Sequence, residues 1–162
     1  GWGNNKLVRV DLATMGYEIM PGGSYGITVD TQGRVWTNWV QRYDPATGQW
    51  QSPSASVGGS GGIAQDLQGR IWAAQQNGVI WVDMETLAVG DTVPLPFSGQ
   101  AKGVSADIDG YVWVTFQNDT NAYRIDPTTY EVRTVTGLND PYTYSDMTGG
   151  QLSNVNCNPP VG

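Results

Sequence analysis

Apolar residues in this chain fall in short runs bounded by Gly, Pro, Asp and Asn. Leu7-Val8-Arg9-Val10, Val79-Ile80-Trp81-Val82 and Val112-Trp113-Val114 are examples. No apolar stripe recurs at helical spacing over a useful length, so the runs predict β-strands. Their polar boundaries repeat. Asp-x-x-Gly-x-x-Trp occurs as Asp30/Gly33/Trp36, Asp66/Gly69/Trp72 and Asp107/Gly110/Trp113, with a degraded copy at Asp146/Gly149/Leu152. The leading aspartates lie 36, 41 and 39 residues apart. A second aspartate closes a later strand of each unit, at Asp11, Asp44, Asp83 and Asp126. Turn residues follow it, as in Asp44-Pro45-Ala46-Thr47-Gly48 and Asp126-Pro127-Thr128-Thr129. Pro presets φ at the second turn position, and Asp accepts hydrogen bonds from the backbone two residues on.

Each unit therefore reads as strand, Asp-x-x-Gly turn, Trp-bearing strand, loop, third strand, Asp turn, fourth strand. All-β repeats of this length are blades of a β-propeller, because one blade cannot bury its own faces. The predicted fold is all-β: a propeller of four-stranded antiparallel blades, about four repeats over residues 1–149. A strand remnant and a Pro- and Asn-rich tail occupy 150–162. Trp2 fits the second strand of a unit, and Tyr142 to Gly149 fits the first strand and turn of another. The expectation is a part of a larger ring, or a ring completed by self-association or companion fragments, since closure removes open sheet edges.

Composition narrows the partners. Charged residues are 14% of the chain, the net charge is −7, and Lys6 and Lys102 are its lysines. The arginines are spread rather than clustered, so nucleic acid and anionic lipid are poor partners. No run of 18 apolar residues predicts a membrane span. Cys157 alone makes neither a disulfide framework nor a metal site. It is read as an exposed thiol, with half of an external disulfide as the alternative. A chain that starts at Gly1 without a signal peptide is read as processed or trimmed. With its acidic balance and scarce lysine it is expected to be secreted or to lie in the cell envelope.

With the blades laid out, the sequence resembles the virginiamycin B lyase (streptogramin lyase) type of propeller, whose pattern NHL-type propellers share. The matching stretches run from Tyr25 to Thr37 and from Gly103 to Val114, each completed by a later turn such as Arg124-Ile125-Asp126-Pro127. The resemblance covers about residues 2 to 149. It implies a lyase using histidine as general base with glutamate and magnesium. The chain contains no histidine, so none of those roles maps onto it.

Asp30, Asp66, Asp107 and Asp146 read as turn residues, with Gly taking the φ-positive position three residues later. Asp107-Ile108-Asp109-Gly110 is a secondary Ca²⁺ candidate, although the distal bidentate Glu of a calcium loop is missing. Trp36, Trp72 and Trp113 hold one repeated position and are expected between blades. Trp39, Trp50 and Trp81 are out of phase; they are read first as loop packing and second as platforms for a sugar ring or a partner side chain. Variable loops on a rigid scaffold are where function is usually placed. These are Thr37 to Gln41, Ala73 to Gly78 and Thr115 to Asn121, with the glycine-rich connections at 21–24 and 57–62. They carry amides and aromatics and lack a nucleophile–base or acid–base pair. The expected binding residues are Trp39, Gln41, Gln76, Asn77, Trp81, Gln117 and Asn118, with no catalytic residue and no metal ligand among them. Asn118-Asp119-Thr120 is also a glycosylation sequon, read as a chance match. The expected function is a non-catalytic scaffold that binds a protein or glycan. The alternatives are part of a lyase or glycan-active enzyme completed outside this chain, and a self-assembling structural propeller.

Overall fold

The computed structural model describes residues 6–22, 25–143 and 147. Trp2, Asp146, Gly149, Leu152 and Cys157 lie outside them. Three four-stranded antiparallel sheets follow a two-stranded one. The hairpin pairs β1 (Lys6–Val10) with β2 (Tyr17–Pro21). The first full blade holds β3 (Ile27–Val29), β4 (Val35–Thr37), β5 (Arg42–Asp44) and β6 (Gln49–Gln51). The second holds β7 (Ile63–Gln65), β8 (Arg70–Gln75), β9 (Gly78–Asp83) and β10 (Val89–Pro94). The third holds β11 (Ala101–Ala106), β12 (Val112–Phe116), β13 (Ala122–Ile125) and β14 (Val132–Val135). Every blade is a meander in chain order, as the expected unit requires. The fold is that of β-propeller blades.

The Asp-x-x-Gly turn is a clamp. Asp30 Oδ1 accepts the amides of Gln32 and Arg34, while Oδ2 accepts Arg34 Nε at 2.6 Å and the Trp36 indole at 2.8 Å. Asp66 repeats the set with Gln68, Arg70 and Trp72. Asp107 takes the amides of Asp109 and Tyr111 and the Trp113 indole at 2.7 Å, without an arginine. Each carboxylate thus closes its hairpin and orients the tryptophan of the next strand. Gly33, Gly69 and Gly110 sit at φ of 81°, 77° and 91°, where a side chain would strain the turn. Asp107, the calcium candidate, is already committed to three N–H groups. No group of three or more His, Cys, Asp or Glu among the described residues could hold a metal ion.

The core lies between blades, so each blade has two faces with different partners. Trp36 and Val40 of the first blade pack with Ile71, Ile80 and Val82 of the second. Trp72 and Val79 of the second pack with Val112, Val114, Tyr123 and Ile125 of the third. Strand alternation makes this possible: neighbouring positions of β9, Val79 and Ile80, serve opposite interfaces. Charge crosses the first interface as well. Arg34 reaches Glu85 of the second blade at 3.0 Å, and Arg42 donates to the carbonyls of Met84 and Glu85.

Candidate functional site

Antiparallel blades send the 2–3 loops and the blade-to-blade connections to one end of the molecule. Backbone contacts tie them together there. Asn38 N donates to Gly26 O at 2.9 Å, and Gly59 N donates to Asn38 O at 2.7 Å. Asn77 N donates to Gly99 O at 2.7 Å, and Gln76 bridges Gln100. The loop end is therefore a knitted surface rather than a set of free loops.

The β4–β5 loop is a tight turn in which Thr37 N donates to Gln41 O at 3.0 Å. Val40 takes a left-handed φ of 56°, uncommon for a β-branched residue, and is fully buried in the blade interface. That conformation turns its neighbour outward: Trp39 is 52% exposed. The inner side of its ring lies on Gly59, where an added Cβ would stand 2.4 Å from a ring carbon. Gly59 is thus required by close approach, and it fixes the plane in which Trp39 is presented. A cleft of about 390 Å³ opens beside the indole, lined by Trp39, Gln41, Ser52, Pro53, Ala55 and Ser56. No ionisable group lines it.

Of the seven expected binding residues, this cleft brings together Trp39 and Gln41. Gln76 and Asn77 form the tip of the β8–β9 hairpin, because β8 extends to Gln75 and shortens the expected Ala73–Gly78 loop to two residues. The Asn77 side chain accepts from Gly99 N at 2.9 Å and holds the next connection in place. Gln117 and Asn118 are exposed on the β12–β13 loop, with Asn118 at φ 66°. Neither pair lines the cleft. Trp81 sits elsewhere, half-buried between the second and third blades, donating to Tyr130 Oη at 2.9 Å and packed against Gly90. Trp50 lies on Gly22 and near Tyr43, with ring centroids 5.2 Å apart.

One polar residue of this end escaped the sequence reading. Asp119, buried, accepts from the amides of Thr120 and Asn121, from Asn121 Nδ2 and from Tyr123 Oη at 2.7 Å. Burial and this bond push the Tyr123 phenol up to about 12. The available signal was a carboxylate four residues before a strand tyrosine, the spacing at which Asp30 meets Arg34. It was masked because Asp119 falls inside the glycosylation triplet.

The fold places this chain among β-propellers, and solved structures agree. The virginiamycin B lyase from Staphylococcus aureus superposes at a TM-score of 0.68 with 20% identity, over 82% of this chain and 48% of that one. A streptogramin B lyase superposes at 0.69 with 18% identity, again over 82% and 48%. The extracellular domain of a one-component system from B. thetaiotaomicron follows at 0.64 and 22%, over 83% of this chain and 23% of that one. This chain spans about half the length of the lyases it matches. No protein-family model matches it, and neither does any curated protein sequence.

Proposed function

We propose that this chain is an extracellular, non-catalytic propeller scaffold that binds a neutral glycan at the Trp39 cleft. The observation that carries the reading is an exposed indole, fixed on one side by Gly59, over a cleft lined by an amide and hydroxyls. A flat aromatic face accepts the apolar face of a pyranose, and neutral amides and hydroxyls satisfy its hydroxyl groups. Acid–base catalysis needs titratable groups within hydrogen-bond reach of the reacting atoms, and none lines this cleft. Extracellular placement is supported by a neighbour that is itself an extracellular domain. One S. aureus lyase neighbour is catalytically inactive with a histidine replaced by alanine, and this chain has no histidine. That argues against carrying lyase activity over.

A glycan array followed by calorimetry tests the reading. Binding of a neutral oligosaccharide that Trp39→Ala abolishes, while Trp50→Ala retains it, is the expected outcome. Binding that survives Trp39→Ala, binding to charged sugars alone, or no binding to any glycan on the array defeats it.

A further inference from the structure

The two interfaces between full blades share one frame at the turn end and fill it differently. At the first, Glu85, two residues past Asp83, receives donors from the preceding blade. Arg34 Nη1 and Nη2 reach its oxygens at 3.1 and 3.0 Å, and Gln32 Nε2 donates at 2.5 Å. At the second interface the residue two past Asp126 is Thr128. Gln68 Nε2 donates to its hydroxyl at 3.0 Å, as Gln32 does to Glu85, and Arg70 Nη1 donates to Pro127 O at 2.7 Å. Arg70 Nη2 is buried without a hydrogen-bond partner among the described residues. A buried donor left unsatisfied is costly, the more so on a charged group. The acceptor that the neighbouring repeat supplies at this point is a carboxylate.

Depth does not bar a carboxylate here. The Arg70 side chain is 12% exposed, and that of Arg34, with Glu85 in place, is 9%. The turn aspartate does not bar it either. Asp83 Oδ1 accepts the Glu85 amide at 3.0 Å, just as Asp126 Oδ1 accepts the Thr128 amide at 2.8 Å. A cleft of about 280 Å³ opens at this place, lined by Leu67, Gln68, Asp109, Asp126, Pro127 and Thr128. That is near the small end of ligand pockets, about 300 Å³.

Three kinds of chemistry meet in the cleft. Gln68 and Thr128, with Arg70 bonded to the adjoining Pro127, suit a carboxylate. Asp109 is exposed, and its carboxylate takes no hydrogen bond or ion pair among the described residues, so it suits an ammonium. Leu67 is 67% exposed and lies on Gly110, where an added Cβ would stand 3.5 Å from Leu67 Cδ1. Its counterpart at the first interface is Thr31, whose amide and hydroxyl bond across to Gln65 at 2.7 and 3.1 Å. The second interface thus exchanges a polar cross-link for an apolar wall.

We propose that this cleft binds a free α-amino acid with an apolar side chain. Its carboxylate takes Gln68 Nε2 and Arg70 Nη2, as Glu85 takes Gln32 and Arg34. Its ammonium pairs with Asp109, in the field of Asp126, and its side chain covers Leu67. A zwitterion answers both signs of charge in the cleft, whereas a simple anion would meet Asp109 and a simple cation would leave Arg70 unsatisfied. The cleft is at the turn end and the Trp39 cleft at the loop end, so this proposal stands apart from glycan binding.

Titration with L-leucine as the probe, followed by backbone amide chemical shifts, tests it. Saturable shifts at Gln68, Asp109 and Thr128 are expected. N-acetyl-L-leucine lacks the ammonium and L-leucinamide lacks the carboxylate, so each should bind at least about tenfold more weakly. Arg70 belongs to the Asp66 clamp, so the site is blocked at the exposed Thr128 instead. Thr128→Glu sets the chain's own carboxylate on Gln68 and Arg70 and should abolish leucine binding. Asp109→Asn should weaken it about tenfold. Near-UV circular dichroism checks the fold, and Gln68→Ala replaces Thr128→Glu if the latter loses the native spectrum. Amide shifts that do not respond to millimolar L-leucine overturn the proposal. So does leucine binding that the blocked variant retains, or either analogue binding as tightly as leucine.

Discussion

At the turn end of the second blade one carboxylate, Asp66, gathers four N–H donors within six residues of itself. At the loop end of the first blade, Trp39 is placed by a buried Val40 and a glycine twenty residues away. The core of the first arrangement, a carboxylate taking two turn amides and the indole, repeats in every full blade, because its donors are local and travel with the motif. The second occurs once, because it needs a particular connection to lie against a particular loop. Local clamps therefore define the scaffold, and contacts between segments define what is unique on it. Substitutions at the two ends should separate accordingly.

The largest effect is expected at the clamp. Asp66→Ala leaves the Arg70 guanidinium and the Trp72 indole buried without their acceptor, and breaking a buried charge pair costs about 3–5 kcal/mol. Asp107 is half-buried and holds no arginine, so Asp107→Ala should cost less, about 1–3 kcal/mol. Urea unfolding of the two variants side by side measures the difference. Equal losses would mean that burial by the next blade contributes nothing to the clamp.

Gly59→Ala comes next and sharpens the contrast from the other end. Its φ of 96° and the Trp39 ring 2.4 Å from the added Cβ both oppose the change. Strained backbone of this kind costs about 1–3 kcal/mol. Unlike the clamp variants, it should also redirect Trp39, seen as a shift in tryptophan emission. A variant with wild-type emission would show that the glycine does not set the indole plane.

Acid should act on the turn end first. Burial alone would raise the Asp30 pKa. Hydrogen bonds from the Trp36 indole and from Arg34, with the charge of Arg34, outweigh it and leave the group below its ordinary 3.8. Asp11, Asp83 and Asp126 are lowered chiefly by backbone N–H bonds of their turns. A carboxyl held low in the fold contributes stability above its unfolded pKa and loses it as pH falls through the folded value. Urea midpoints should therefore hold near neutrality and fall below about pH 4. Asp30→Asn should flatten part of that slope, and an unchanged slope would remove Asp30 from the account. At the alkaline limit the loop end responds instead. Tyr123, held neutral by burial and Asp119, should ionise near 12, so its stabilisation is present below pH 10 and lost as pH rises through 12. Absorbance titration of Tyr123→Phe against wild type isolates that phenol.

The same division between local and distant contacts explains what could be read from sequence. The strands, the blade order, the Asp-x-x-Gly turns and the burial of Trp36 and Trp72 follow from spacings within one repeat. The constant six residues from Asp to Trp carry the indole–carboxylate bond as well as the turn, although spacing alone specifies only the turn. The Arg34–Glu85 pair was not legible, because its partners lie 51 residues apart and meet only when two blades stack. Trp39 and Trp81 looked alike, since both break the repeat phase. They differ through what packs on them: Trp81 has the third blade and Gly90, whereas Trp39 has Gly59 on one side and a cleft beside it.

The smallest effect on stability should come from the residue with the largest expected effect on binding. Trp39 donates no hydrogen bond to any clamp, belongs to neither buried core cluster, and is half in solvent. Trp39→Ala should accordingly shift unfolding free energy by no more than about 0.5 kcal/mol, the range of ordinary surface changes. Its urea midpoint should match wild type while its glycan isotherm disappears. A loss of stability comparable to that of Asp107→Ala would mean the indole is part of the knitted loop surface, pinning the glycine-rich connection rather than awaiting a ligand. Trp39 would then belong with Asn38 and Asn77, whose side chains hold connections in place. The distinction rests on one comparison between two measured curves of one variant.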